Sequence, residues 1–177
     1  MLLVYLWGDL FTCLLVPLFK KFCFNIKNMK DRLIEFILRA RRNTYASGGG
    51  KVTPSLKDSV QLEYTEDDFM YRDVYFIGNS IFNGIEAVYF EGKVVWSMSY
   101  FGDMKNLTED EADKILRKAL IDNWNTTRLW NDVQAEYDNF IYVCKAKGSI
   151  DKMSGVEEIL KEEEAVYSFT FNGGFIG

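Results

Sequence analysis

Two glutamates and two serines recur at equal spacing and are the residues best suited to carry chemistry. Glu86 and Ser97 return 71 positions later as Glu157 and Ser168, since 157 − 86 and 168 − 97 are both 71. Two carboxylates that share a site push one pKa upward, which provides an acid and a base. Carboxylates beside aromatic rings also suit an organic cation or a polar small molecule. The alternative is a cross-strand Glu–Ser pair on a solvated sheet face, which contributes roughly 0.2–1 kcal/mol.

The composition limits the chemistry that remains. The chain has 177 residues and no histidine, which removes the Ser-His-Asp and Cys-His nucleophile systems and the zinc sites that need imidazole. Its three cysteines form no C-x-x-C motif, which favours a reducing, cytoplasmic location. The net charge of −5 argues against direct nucleic-acid binding, and we interpret the cluster of Arg39, Arg41 and Arg42 as a helix C-terminus. We predict no metal and no cofactor.

An internal repeat organises most of the chain. The segment Asp67–Gly102 aligns without a gap on Asp138–Gly173, and nine of the 36 aligned residues are identical. A fixed period of this kind indicates that one structural unit occurs twice. The repeat also decides an ambiguous stretch, because residues 154–164 resemble a helix start while their counterparts, 83–93, have the pattern of a strand and a turn. We predict strand and turn for both.

The sequence of residues 84–102 predicts a β-hairpin. Its two-residue turn is Glu91–Gly92, because glycine favours such turns. This register pairs Glu86 with Ser97, and the second copy repeats the pairing. The core face of the hairpin is then formed by Ile85, Ala87, Tyr89, Val94, Trp96, Met98 and Tyr100. The glutamate and the serine occupy the other, less apolar face.

An earlier strand brings three polar side chains into consecutive positions, Tyr71, Arg72 and Asp73. Because side chains alternate across a strand, Tyr71 and Asp73 share one face and Arg72 takes the other. We predict a cleft between the two halves that contains both glutamates and nearby aromatic rings, with Arg72 as a counter-charge. The candidate ligand-binding residues are Glu86, Glu157, Ser97, Ser168, Tyr71, Arg72 and Trp96.

Two helices must position these strands. Residues 31–42 have apolar positions at helical spacing, and a second helix begins at Thr108, where Thr108 and Glu111 form a capping box. Each half is then a helix followed by an antiparallel meander. The predicted fold is α+β: a pseudo-duplicated domain with one mostly antiparallel sheet of about six to seven strands and two main helices on one face.

The first 28 residues differ from the rest because residues 2–19 are nearly all apolar. One interpretation is a membrane anchor, with the lysines that follow on the cytoplasmic side. A second is a mis-assigned start, with Met29 as the natural first residue, and a third is a packed helix. We predict a single domain over residues 29–177, with halves at 67–102 and 138–173, and membrane association only if residues 1–28 are an anchor.

Several motifs carry a resemblance to a known family: Thr44-Tyr45-Ala46, Gly48-Gly49-Gly50-Lys51, Leu62-Glu63-Tyr64, Asp68-Phe69-Met70-Tyr71-Arg72-Asp73, Gly84-x-Glu86-x-Val88-Tyr89, Trp96-x-Met98-x-Tyr100-x-Gly102, Gly155-x-Glu157 and Asn172-Gly173-Gly174. From Met29 to the C-terminus the chain resembles a bacterial family catalogued as domain of unknown function 5680. Members occur alone or C-terminal to helix-turn-helix regulators of the xenobiotic-response-element type. The resemblance implies an effector-sensing or interaction role and supplies no catalytic residues.

We therefore expect a non-catalytic domain that senses a small molecule or binds an effector. A second hypothesis is a carboxylate-dependent hydrolase or transferase that uses Glu86 and Glu157, and it requires the two carboxylates about 5–10 Å apart across an open cleft. A third is a protein-interaction module, which requires a contiguous exposed apolar patch. The candidate partners are accordingly a small-molecule effector and a protein.

Overall fold

The computed structural model describes residues 28–104 and 107–177. The chain forms two compact units, Met1–Glu35 and Phe36–Gly177. Within the first unit, residues 28–35 are helical. The interpretations of the N-terminal apolar segment concern residues outside the described part of the chain. No helix in the described part is long and apolar enough to cross a membrane.

The described residues contain two helices and nine strands. Helix α1 covers residues 28–43, a 3₁₀ turn follows at Tyr45–Ser47, and helix α2 covers Glu109–Asp122. The strands, in chain order, are β1 Lys51–Val52, β2 Val60–Glu66, β3 Phe69–Gly78, β4 Ile81–Phe90, β5 Lys93–Asp103, β6 Val133–Tyr137, β7 Phe140–Ser149, β8 Lys152–Lys161 and β9 Glu164–Phe175.

All nine strands form one antiparallel sheet in the order β1-β2-β3-β4-β5-β9-β8-β7-β6. The first half is a helix followed by five strands, β1 to β5, and the second is a helix followed by four, β6 to β9. The two meanders meet where β5 pairs with β9, for example Tyr100 with Phe171. The α+β class is thus confirmed, but the prediction of six to seven strands was wrong. The additional strands, β1 and β6, lie at the two edges and have two and five residues, too few for a periodic pattern to show.

The capping box that the sequence predicted is present at the start of α2. The Thr108 hydroxyl accepts a hydrogen bond from the Glu111 backbone N–H, and the Glu111 carboxylate accepts one from the Thr108 backbone N–H at 3.2 Å. These bonds satisfy N–H groups that have no partner within the helix. Leu116, Ala119 and Leu120 then bury one face of α2.

A β-bulge corrects the predicted register of the hairpin formed by β4 and β5. The turn at Glu91–Gly92 is as predicted, but the pairing shifts between Val88 and Tyr89, so Glu86 lies opposite Met98 rather than Ser97. A bulge inserts one extra residue into a strand. Because side chains alternate between the two faces of a strand, a shift of one residue in the pairing moves side chains to the opposite face. Ile85, predicted to be core, is therefore exposed, while Glu86 is buried.

The second copy has its bulge at the equivalent position, between Ile159 and Leu160, so Glu157 lies opposite Phe169 rather than Ser168. The buried side of the sheet, here called the inner face, carries the side chains of Tyr71, Glu86, Trp96, Tyr142 and Glu157. The opposite side is called the outer face. Both glutamates therefore point into the protein instead of lying on a solvated surface.

The two equivalent turns differ in one residue, which gives a first testable prediction. Glu162 and Glu163 have φ of +52° and +67°, whereas the first copy uses Glu91 and Gly92 at +48° and +76°. A non-glycine residue in this region is strained by about 1–2 kcal/mol. Glu163→Gly should stabilise the protein by about 0.5–1 kcal/mol in urea unfolding, after the entropic cost of glycine. The reciprocal Gly92→Glu should destabilise it, and equal stability of all three proteins would contradict the argument.

Candidate functional site

A cavity of about 250 Å³ lies between the helices and the inner face of the sheet. Leu38 of α1 and Leu116 of α2 line it on the helical side. Eight aromatic residues also line it: Tyr45, Tyr71, Tyr75, Phe82, Tyr100, Trp124, Tyr167 and Phe169. Its charged lining residues are Arg41, Arg42, Asp73, Glu86, Asp110, Asp113, Arg117 and Arg128. The cavity is therefore aromatic, with equal numbers of lining cations and anions.

Beside the cavity, the second half of the chain holds a closed polar centre around Glu157, whose exposed fraction is 0%. Arg128 donates to both carboxylate oxygens, from Nε at 2.9 Å and from Nη2 at 2.7 Å. The hydroxyls of Tyr142 and Tyr167 also donate to the carboxylate. Burial, and next the charge of Glu157, raise the pKa of both phenols, which keeps them protonated as donors. The charge of Glu157 is thus balanced by Arg128, and both carboxylate oxygens accept hydrogen bonds.

Arg128 is itself held in a demanding conformation. Its backbone lies in the left-handed region, with φ of +55°, and its guanidinium lies 4.3 Å from the centre of the Phe169 ring. Its backbone carbonyl accepts a hydrogen bond from Arg41 Nη1 at 2.8 Å. Such a conformation persists only when surrounding contacts determine it. Arg128 therefore connects the polar centre of the second half to Arg41.

The first half holds the corresponding centre around Glu86, which is 3% exposed. Arg41, near the end of α1, donates to Glu86 Oε2 from Nε at 2.8 Å and contacts the same oxygen from Nη2 at 2.7 Å. The Arg41 guanidinium also lies 5.6 Å from the Trp96 ring centre and contacts the sulfur of Met98. The arginine cluster is therefore more than a helix C-terminus, because Arg41 is the counter-charge of a buried glutamate.

The two centres differ in how far their polar groups are satisfied. Tyr142 and Tyr167 both donate to Glu157. Their counterparts in the repeat, Tyr71 and Trp96, are equally buried, but within the described residues the Trp96 Nε1–H is a buried donor without a hydrogen-bond partner. Buried polar groups are nearly always bonded, so unbonded ones need an explanation. The unsatisfied donor belongs to the first half, but Trp96 does not line the cavity, whereas Tyr71 and Glu86 of the same half do.

Asp73 adds a second carboxylate to the first half. It is 5% exposed, lies directly opposite Glu86 on β4, and accepts a hydrogen bond from the Tyr100 hydroxyl at 2.6 Å. No ion pair involves it among the described residues. Burial, and next the charge of Glu86, raise the pKa of Asp73 to about 7. The equivalent position in the second half is Cys144, so this carboxylate is special to the first half.

A glycine allows Tyr100 to reach Asp73. A Cβ atom on Gly84 would lie 2.6 Å from the Tyr100 hydroxyl and 2.5 Å from the carbonyl oxygen of Val74, closer than such atoms ever approach. The repeat retains this arrangement, because a Cβ on Gly155 would lie 2.3 Å from the ring of Phe171, the counterpart of Tyr100. The identical Gly84/Gly155 pair in the sequence is therefore explained by a ring that covers each glycine.

The structure brings together only part of the predicted site. Glu86, Tyr71 and Trp96 share the inner face of the first half, and Glu157 lies in the centre of the second half but does not line the cavity. Ser97 and Ser168 were placed wrongly beside the glutamates, because the bulges turn both serines to the outer face.

Arg72 was also placed wrongly as a counter-charge to the glutamates. It lies on the outer face, as the alternation of β3 predicted, and pairs there with Glu63 at 2.7 Å. Arg41 and Arg128 are the counter-charges instead. Arg128 lies outside the repeated segments, and Arg41 was assigned to the helix end, so neither was predicted. Asp73 was noted on the face of Tyr71 but was not included among the candidates.

No group of three or more cysteine, aspartate or glutamate side chains is placed to hold a metal ion in the described part of the chain. A family model described as "Domain of unknown function (DUF5680)" matches residues 73–176, from within β3 through the end of β9. The matched range is more than half of the 177 residues. No curated protein and no solved structure matches the chain significantly.

Proposed function

We propose that this chain, which belongs to the family described as domain of unknown function DUF5680, binds a small organic molecule in its cavity as an effector and catalyses no reaction. The family description assigns no activity, so the proposal is argued from the cavity. The observation that supports this proposal most is the aromatic lining around Asp73, a buried carboxylate without an ion pair among the described residues. Ligand sites typically combine apolar and aromatic walls with a few polar groups that fix orientation.

The size of the cavity restricts the ligand. Its volume of about 250 Å³ is slightly below the ~300–1,000 Å³ of typical ligand pockets. The ligand is then a compound of one or two rings rather than a nucleotide or a peptide. Aromatic side chains on several walls favour a flat molecule, because ring faces stack on one another.

The arrangement of the two glutamates supports binding more than catalysis. Glu157 accepts hydrogen bonds from Arg128, Tyr142 and Tyr167 and does not line the cavity. Glu86 lines the cavity but is paired with Arg41. A general acid or base must reach the substrate with a transferable proton. The resemblance implies that related domains occur next to transcriptional regulators, and we propose an effector role of the same kind for this chain.

A second candidate function, docking of a protein partner, is favoured by one observation. Phe76, Phe101 and Val156 lie in one row across the outer face and are each more than 40% exposed. Exposed apolar patches often mark interaction sites. The cavity proposal is preferred because it also accounts for the buried Asp73 carboxylate, which lines the cavity and has no ion pair among the described residues.

A fragment screen with matched tryptophan variants tests the cavity. Ile77 lines the cavity and is 46% exposed, whereas Ile85 is 48% exposed on the outer face. One- and two-ring aromatic compounds, screened by ligand-observed NMR, should bind the wild type and Ile85→Trp but not Ile77→Trp, whose indole occupies cavity space. A compound at a hundred times its Kd should stabilise the wild type by about 2.7 kcal/mol, a Tm rise of about 5–10 °C.

Two outcomes would count against the cavity. No binding by any compound would overturn the proposed function. Hits that Ile77→Trp retains and Ile85→Trp loses would move the site to the outer face and favour the protein-docking alternative.

A further inference from the structure

The cavity lining as a whole has equal numbers of cations and anions, but on the inner face of the first half the carboxylates outnumber the cations that pair with them. Asp73 and Glu86 lie directly opposite each other on neighbouring strands, and Arg41 pairs with Glu86 alone. In the second half one carboxylate, Glu157, faces one guanidinium, Arg128. The first centre therefore has one more carboxylate than it has cations, and the surplus group is Asp73.

The remaining cations that line the cavity are engaged elsewhere. Arg117 pairs with Asp113 at 2.6 Å, and the Tyr45 hydroxyl donates to the same carboxylate at 2.8 Å. Arg42 is exposed and lies 5.3 Å from the ring centre of Trp124. None of them contacts Asp73, whose one hydrogen bond within the described residues comes from the neutral Tyr100 hydroxyl. A buried carboxylate in this setting lacks the cation that normally accompanies it.

Aromatic rings line the cavity in which Asp73 lies. Phe82 is stacked with Tyr167 and with Phe169, at interplanar angles of 22° and 25°. Tyr100 lies against the same cluster, 5.2 Å from Phe169 between ring centres. Ring faces carry the negative side of the aromatic quadrupole and therefore attract a cation as well as a flat ring.

We infer that the cavity binds a small flat organic cation, a protonated amidine or aminoheterocycle, whose N–H groups are anchored by the Asp73 carboxylate. This inference rests on the proposed function, because it names the ligand class for the same cavity. Two parallel N–H donors match the two oxygens of a carboxylate, and such charge-assisted pairs are the strong hydrogen bonds of proteins. The bound cation supplies the missing positive charge, and Tyr71 lines the cavity beside it.

Three isosteric probes separate charge from shape. Benzamidinium, benzamide and benzoate have the same flat frame and carry a positive, a zero and a negative charge. Isothermal titration calorimetry at pH 8, where Asp73 is ionised, should show that benzamidinium binds at least about tenfold more tightly than benzamide, and that benzoate does not bind.

The test variant is Asp73→Asn, which keeps the shape of the side chain and its ability to accept a hydrogen bond from Tyr100. The matched control is Asp122→Asn, which removes a carboxylate that does not line the cavity. Asp73→Asn should reduce benzamidinium affinity about tenfold or more and leave benzamide unchanged. Asp122→Asn should leave both unchanged.

The wild type could bind benzamidinium and benzamide equally tightly, and Ile77→Trp could lose both. This result would overturn the inference that the ligand is a cation, but it would leave the proposed function of the cavity standing. Unchanged benzamidinium affinity in Asp73→Asn would overturn the anchor. Failure of all three probes would also overturn this inference, and the fragment screen then decides the proposed function separately.

Discussion

Glu157→Gln should destabilise the protein by about 3–5 kcal/mol, the usual cost of removing one partner of a buried ion pair. The substitution leaves the guanidinium of Arg128 buried without a counter-charge, while the amide still accepts one or two of the hydrogen bonds now made to the carboxylate. A loss of this size is a large share of the ~5–15 kcal/mol that stabilises a typical domain. Urea unfolding at pH 7, followed by circular dichroism, measures it.

The matched control is the exposed pair between Lys118 and Asp122 on α2, at 3.0 Å. Asp122→Asn should cost at most about 0.5 kcal/mol, because water already solvates both charges. Arg128→Met and the double variant complete a thermodynamic cycle, in which the double variant should recover stability relative to either single change. If Glu157→Gln does not fold, a double variant that folds shows the same recovery. Additive losses would contradict the buried pair as the source of the effect.

Asp73→Asn should stabilise the protein at neutral and higher pH. The pKa of Asp73 is about 7 in the folded protein and 3.8 in the unfolded chain, so the folded state binds the extra proton between these values. Wild-type stability therefore falls as pH rises from about 4 to about 7, and asparagine has no proton to lose. An interval of about three pH units corresponds to about 4 kcal/mol, the expected advantage of the variant at pH 8.

Urea unfolding of both proteins at pH 4, 6 and 8 measures this difference, which should be smallest at pH 4. The charged and titratable groups that act on Asp73 belong to several elements: Glu86, Tyr100, Arg41 and Arg128. Curves for wild type and variant that run parallel across the range would show that Asp73 has an ordinary pKa. A variant that is more stable but binds benzamidinium less tightly would show the usual opposition between stability and function.

The overall architecture could be predicted from the sequence because its signals are local or repeated. The capping box at Thr108 and the turn at Glu91–Gly92 depend on neighbouring residues alone. The strand β8 was recovered only through the repeat, since its own residues resemble a helix start. The edge strands β1 and β6 are not predicted by the sequence, because they have only two and five residues.

The details of the site could not be predicted because they depend on one inserted residue and on distant contacts. The run Val94-Val95-Trp96 is apolar throughout, so it erases the alternation that would locate a bulge. A signal was available, since Val95 and Val166 are identical in the two copies and lie at both bulges. Arg128 pairs with a glutamate 29 positions away, and no periodic pattern encodes such a contact.

Arg128 has a consequence for how the polar centres of the two halves depend on each other. Its side chain grips Glu157, while its carbonyl is held by Arg41, the partner of Glu86. Arg128 thus joins the two halves at a second point, separate from the pairing of β5 with β9. Removal of the Arg41 guanidinium would therefore take a contact away from both buried ion pairs, so the polar centres of the two halves are not independent of each other.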